Sequence, residues 1–99
     1  MGKAWSNSPV ADELPRLLAE RGLSVRELGR RMGIDHGHIS RIVHQQRGKV
    51  ASGDLAGRIA VELGLPADYF PEYRRAAVVA AIDQDPALLD RLYHEISRP

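Results

Sequence analysis

Residues 25–44, VRELGRRMGIDHGHISRIVH, leave little freedom in how this chain can fold. Apolar side chains recur at Leu28, Met32, Ile34, Ile39 and Ile42. Leu28 and Met32, four apart, share one helix face; Ile39 and Ile42, three apart, share a face of a second helix. Gly33 between them can take positive φ, as a three- to four-residue inter-helix turn often needs. Gly29 is small where two helices have to approach closely. The spacing predicts two short amphipathic helices joined by a tight turn, a helix-turn-helix. Ser24-Val25-Arg26-Glu27 fits the S-x-x-E capping box at the start of the first. Asp35 is a good N-cap for the second.

The ordered set Leu28, Gly29, Met32-Gly33-Ile34 and Ile39-Ser40-Arg41-Ile42 resembles the DNA-binding motif of the Xre family, to which Cro and the lambda repressor belong. Arg21-Gly22-Leu23-Ser24 looks like that family's junction between helices 1 and 2. Leu55 to Leu65, LAGRIAVELGL, looks like its fourth helix. The resemblance implies an all-α, lambda-repressor-like five-helix domain, here followed by one or two extra C-terminal helices. It also implies that the start and outer face of the second motif helix touch base edges in the major groove of double-stranded DNA. His36, Gly37, Ser40 and Arg41 occupy those positions. Arg41 can reach guanine O6 and N7 with both arms of its guanidinium, a base contact preferred over a phosphate contact or an ion pair with Asp35 or Glu27. Ser24 and Arg26, at the start of the first motif helix, are candidates for the DNA backbone, because helix N-termini point N–H groups at phosphate.

Beyond the second motif helix the family pattern is broken. The usual Glu-x-Gly is replaced by Val43-His44-Gln45-Gln46-Arg47-Gly48-Lys49, one residue longer. The helix is expected to run an extra turn, to about Gln46. His44, Gln45, Gln46, Arg47 and Lys49 are then candidate backbone clamps, which set position and affinity rather than base preference.

Residues 1–9 are expected to form a flexible N-terminal arm. Its Trp5 would pack on the domain or on a partner subunit, or else the arm would follow the DNA backbone through Lys3. The opening Met-Gly-Lys-Ala-Trp-Ser fits a myristoylation pattern by letter, and a flexible start is the simpler reading. The DNA-binding domain is assigned to residues 10–72 and a C-terminal helical extension to 73–99. In the first helix, Leu14, Leu17, Leu18 and Val10 face the core and Gly22 ends it. Pro15 is comfortable if Asp12 is the cap and kinks the helix if Ser8 is. Ser52 caps a helix with an inward stripe of Leu55, Ile59, Ala60 and Leu63. Pro66 to Phe70 reads as a short fifth helix, with Tyr69 or Phe70 plugging the core. Arg75 to Ile82 is a further helix candidate, and Asp85-Pro86 starts another. Val78, Ile82, Leu88, Leu89, Leu92, Tyr93 and Ile96 give this tail a broad apolar face, expected to pair with a second subunit or to fold back on its own domain.

Charge supports the nucleic-acid reading. The whole chain is only +1. Residues 21–49 nevertheless hold seven basic side chains against Glu27 and Asp35, a net of +5, which leaves −4 elsewhere. Such an excess on one motif is the footprint expected for phosphate. Arg outnumbers Lys 12 to 2, a usage common in GC-rich genomes such as those of actinobacteria and their phages. There is no cysteine, so disulfides and thiolate metal sites are excluded. His36 and His38 are two apart and diverge on a helix, so no metal site and no cofactor are expected. No apolar run approaches the length of a membrane span. No G-x-S-x-G, H-E-x-x-H or phosphate-cradling G-x-x-x-x-G-K is present, and no enzyme is expected. The sequence therefore points to a cytoplasmic, sequence-specific double-stranded DNA-binding transcription regulator. The expected form is a repressor acting as a homodimer on a near-palindromic operator, with half-sites ~34 Å apart. The alternative is an antitoxin or adaptor whose C-terminal helices hold a protein partner.

Overall fold

In the computed structural model, which describes residues 5–45 and 50–98, the chain is all-helical. Its elements are α1 (Val10–Arg21), α2 (Val25–Met32), α3 (His36–Val43), α4 (Gly53–Glu62), α5 (Pro71–Gln84) and α6 (Pro86–Ser97). No strand occurs among the described residues, and none of their helices is long and apolar enough to cross a membrane.

The core is built from the periodic apolar positions. Leu14, Leu17 and Leu18 of α1, Leu28 of α2, Ile39 and Ile42 of α3, and Leu55, Ile59 and Ala60 of α4 are buried together with Leu63. Phe70 closes this core and is fully buried, with the Tyr69 ring edge-on to it at 5.0 Å. Glycines in left-handed backbone end α1 and α2, at Gly22 (φ 64) and Gly33 (φ 69). Ser52 caps α4 by accepting the Leu55 N–H at 3.1 Å. Asp85 caps α6 by accepting the Leu88 N–H at 3.1 Å, with Pro86 in the first turn.

Pro66–Phe70 is not the short fifth helix expected. It is a turn, in which the Tyr69 N–H donates to the Pro66 carbonyl at 3.0 Å, followed by extended backbone at Phe70 (φ −90, ψ 144). The cause is Pro71: the residue before a proline is pushed out of the α region, and proline is at home at the first helical position. Pro71 therefore opens α5, which starts four residues before the expected Arg75 and ends beyond Ile82. The boundary drawn between residues 72 and 73 falls inside this helix.

α5 is seated by two glycines of α4. A Cβ on Gly53 would come within 2.4 Å of the Ala76 side chain, and one on Gly57 within 2.8 Å of the Tyr73 ring. α5 also reaches back to the start of the chain. The Val10 N–H donates to both carboxylate oxygens of Glu72, at 2.9 and 3.3 Å, so an acid 62 residues away satisfies an orphan donor of α1. The N-cap of α1 is Pro9, neither Ser8 nor Asp12. Pro15 thus lies past the first turn and offers the Ala11 carbonyl no N–H.

Residues 5–9, expected as an arm, lie along the domain. The Ser6 N–H donates to the Tyr69 carbonyl at 2.9 Å, Arg74 donates to the Ser6 carbonyl at 2.7 Å, and the Arg74 guanidinium stands 4.7 Å from the centre of the Trp5 ring. Lys3 lies outside the described residues. Nearby, Tyr69 donates its hydroxyl proton to Glu13 at 3.0 Å. The Arg16 guanidinium on Glu13 holds that carboxyl below its ordinary 4.5, against the opposing effect of burial. Burial, reinforced by Glu13, raises the Tyr69 phenol above its ordinary 10.0.

In the second half of α5 and in α6 no side chain is fully buried, and only Ile82, Leu88 and Leu92 are half-buried. The radius of gyration is 15.8 Å, against about 13 Å for a compact domain of this length.

Candidate nucleic-acid interface

The approach of α2 to α3 fixes where α3 faces. α2 begins at Ser24, whose hydroxyl oxygen accepts the Glu27 N–H at 3.0 Å. Only this half of the expected capping box forms, because the Glu27 carboxylate turns to Arg30, with Arg31 at 4.0 Å. α2 ends at Gly33, and the Ile34 N–H returns to the Gly29 carbonyl at 2.9 Å. A Cβ on Gly29 would lie 2.7 Å from the Ile34 carbonyl oxygen and 3.1 Å from the Cα of His36. The backbone of the turn and the first residue of α3 therefore rest directly on α2.

Asp35 caps α3 by accepting the Gly37 N–H at 3.1 Å. Ile39 and Ile42 are buried beneath it, which sends the rest of the helix outward. His36 and Arg41 are exposed, while Gly37, His38 and Ser40 are half-buried. The four base-reading candidates, His36, Gly37, Ser40 and Arg41, thus share one eight-residue helix. Gly37 has a concrete role there. A Cβ at this position would meet an Asp35 carboxylate oxygen at 3.2 Å and Nη1 of Arg41 at 3.4 Å. Its hydrogen leaves room for the Arg41 side chain to lie back along the helix toward its N-terminus. Arg41 enters none of the ion pairs of the described residues, so the pairing with Asp35 or Glu27 weighed from sequence does not form.

α3 stops at Val43, one turn short of the expected Gln46. Gln45 adopts φ 52, the left-handed region, and its N–H bonds the Ile42 carbonyl at 3.0 Å. A residue in that conformation cannot continue an α-helix. Of the backbone candidates, Ser24, Arg26, His44 and Gln45 are exposed. Gln46, Arg47 and Lys49 lie outside the described residues.

Three cations near the motif were not among the sequence candidates. Arg30 and Arg31, in the last turn of α2, are 73 % and 49 % exposed. Arg58 of α4 donates to the Met32 carbonyl at 3.1 Å, at the C-terminal end of α2. Arg30 and Arg31 were visible as part of the basic segment. Arg58 was not, because 26 residues separate it from its acceptor. Arg31 and Arg58 line an open groove of about 470 Å³ together with Asp54 and Glu62, so their charge is partly offset there. Among the described residues no cluster of His, Asp or Glu could hold a metal ion.

The tail residues divide into two rows. Ile82, Leu88 and Leu92 are half-buried, and Val78, Leu89, Tyr93 and Ile96 are exposed. Comparison with protein-family models, with curated proteins and with solved structures returns no match.

Proposed function

We propose that this chain is a sequence-specific, double-stranded DNA-binding transcription regulator of the Xre type. In this reading α1–α4 form a lambda-repressor-like core and α2–α3 its helix-turn-helix. α3 enters the major groove, and two copies act on a near-palindromic operator as a repressor that blocks polymerase. The observation that carries the reading is α3 itself. It is anchored from beneath by Ile39 and Ile42, pressed onto α2 at Gly29, and presents His36, Ser40 and Arg41 on its outer side. Arg41 supplies base readout, while Arg26, Arg30 and Arg31 supply sequence-independent attraction to phosphate. A second reading, an antitoxin or adaptor, draws on the uncovered apolar row of α6.

Duplex binding followed by fluorescence anisotropy across a salt series tests the proposal. Neutralising about five phosphates predicts a slope of about −4 to −5 in log Kobs against log salt. A flat response, or no binding at low salt, would remove the DNA function and favour the partner-binding reading.

A further inference from the structure

We infer that Asp35 is a second specificity-determining residue, whose carboxylate reads a cytosine next to the base pair read by Arg41. The inference rests on the DNA-binding reading proposed above and deepens it. Asp35 is exposed at the start of α3. Its Oδ1 accepts the Gly37 N–H at 3.1 Å and so caps the helix. Its Oδ2 is turned toward the space that Gly37 leaves open, 3.2 Å from where a Cβ would stand. Nη1 of Arg41 lies 3.4 Å from the same point. An acceptor and a donor therefore flank one gap the size of a side chain. No ion pair joins them. Both are free to turn toward a base edge from the same end of α3.

The charge on Asp35 is what calls for a role. Residues 21–49 hold two acids, and Glu27 is occupied by Arg30 and Arg31. Asp35 pairs with no cation among the described residues, so its charge weakens the attraction of the motif for phosphate. Capping does not require that charge. Ser24 and Ser52 cap α2 and α4, and serine, asparagine and aspartate cap about equally well. A carboxylate differs from them in being an acceptor with no donor. In the major groove cytosine shows only its N4 amino donor, whereas guanine and thymine show acceptors and adenine sets its N7 acceptor beside the amino group. Asp35 is thus attracted by cytosine and repelled by the acceptors of the other three bases, which is specificity by exclusion. A guanidinium spanning guanine O6 and N7 covers the edge of its own pair, so the cytosine belongs to the neighbouring one.

The test is selection of bound duplexes from a random pool with the full chain as wild type, Asp35→Asn and Asp35→Ser. Wild type is expected to enrich a cytosine at a pair adjacent to the one that Arg41→Ala relaxes. Asp35→Asn should lose that preference roughly 10-fold and gain adenine there, since an amide bonds N6 and N7 together. Asp35→Ser should show no preference at that pair, because a hydroxyl both donates and accepts. Both variants should bind non-specific duplex more tightly at low salt, with one negative charge removed. Their urea midpoints should hold, because both keep a capping oxygen. Should either variant unfold, wild type decides alone: replacing the selected cytosine by 2-pyrimidinone, which lacks the amino group, should weaken binding roughly 10-fold. Folded variants that enrich the same bases as wild type, a change confined to the Arg41 pair, or full affinity without the amino group would overturn the inference and leave the DNA reading standing. No enrichment by wild type would end both.

Discussion

Gly29 and Ile34 hold the two motif helices together at backbone distance. The Ile34 N–H donates to the Gly29 carbonyl at 2.9 Å, and a Cβ on Gly29 would stand 2.7 Å from the Ile34 carbonyl oxygen. No rotamer change relieves such a contact, because the position of a Cβ is fixed by its backbone and the oxygen it meets is main chain. Gly29→Ala gains up to about 1 kcal/mol of helix propensity but incurs a backbone collision of about 1–3 kcal/mol, so the collision wins. A net loss of about 1–2 kcal/mol in urea unfolding is expected, with weaker DNA binding because α3 is displaced. Gly37→Ala is the control. There the neighbours are the ends of Asp35 and Arg41, which can move, and stability should hold. Equal effects of the two substitutions would show that Gly29 is not a contact point.

At Gln45 the backbone works against its side chain. With φ 52 it occupies a region that glycine enters without penalty. Gln45→Gly should therefore raise stability by about 0.5–1 kcal/mol, less than the intrinsic left-handed cost because glycine loses more entropy on folding. Thermal unfolding reads this directly. If Gln45 also touches the DNA backbone, the same variant binds all duplexes somewhat less tightly. A lowered melting midpoint would contradict the left-handed assignment.

The Glu13–Tyr69 contact predicts stability at both ends of the pH scale. Glu13 has a lowered pKa, chiefly because Arg16 bonds its carboxylate. Its contribution is present above the unfolded-state value near 4.5 and is lost as pH falls through the lower folded value. Tyr69 has a raised pKa, chiefly through burial, so its contribution is present below about 10 and is lost as pH climbs through the folded value. Glu13→Gln should flatten the acid limb of a stability–pH curve measured by urea unfolding. An acid limb that is unchanged in this variant would place the titration elsewhere.

The core helices were legible because Leu28, Ile39, Ile42, Leu55 and Ile59 repeat at helical spacing with caps at Ser24, Asp35 and Ser52. What escaped was set by contacts distant in sequence or by single backbone angles. Glu72 on the α1 N-terminus and Arg58 on the end of α2 bridge 62 and 26 residues, and no local pattern announces them. Phe70-Pro71 did carry a readable signal, the exclusion of helix before proline, which outweighs the apolar look of Pro66 to Phe70. The end of α3 differs from the expected Gln46 because Gln45, a residue type with no left-handed preference, takes the left-handed angle. Of the interface, the outward placement of His36 and Arg41 followed from Ile39 and Ile42 pointing inward. The space that Gly37 leaves for Arg41 depends on how the Arg41 side chain lies along α3, which no sequence pattern announces.

The central claim is that α3 reads DNA sequence, and selection of bound duplexes from a random pool at physiological salt tests it most directly, run in parallel with wild type and Arg41→Ala. If α3 reads DNA sequence, wild type enriches an inverted repeat, and Arg41→Ala loses about 1–3 kcal/mol on that site and relaxes its preference at one base pair per half-site. No enrichment with wild type, or equal weakening of Arg41→Ala on every sequence, would contradict it.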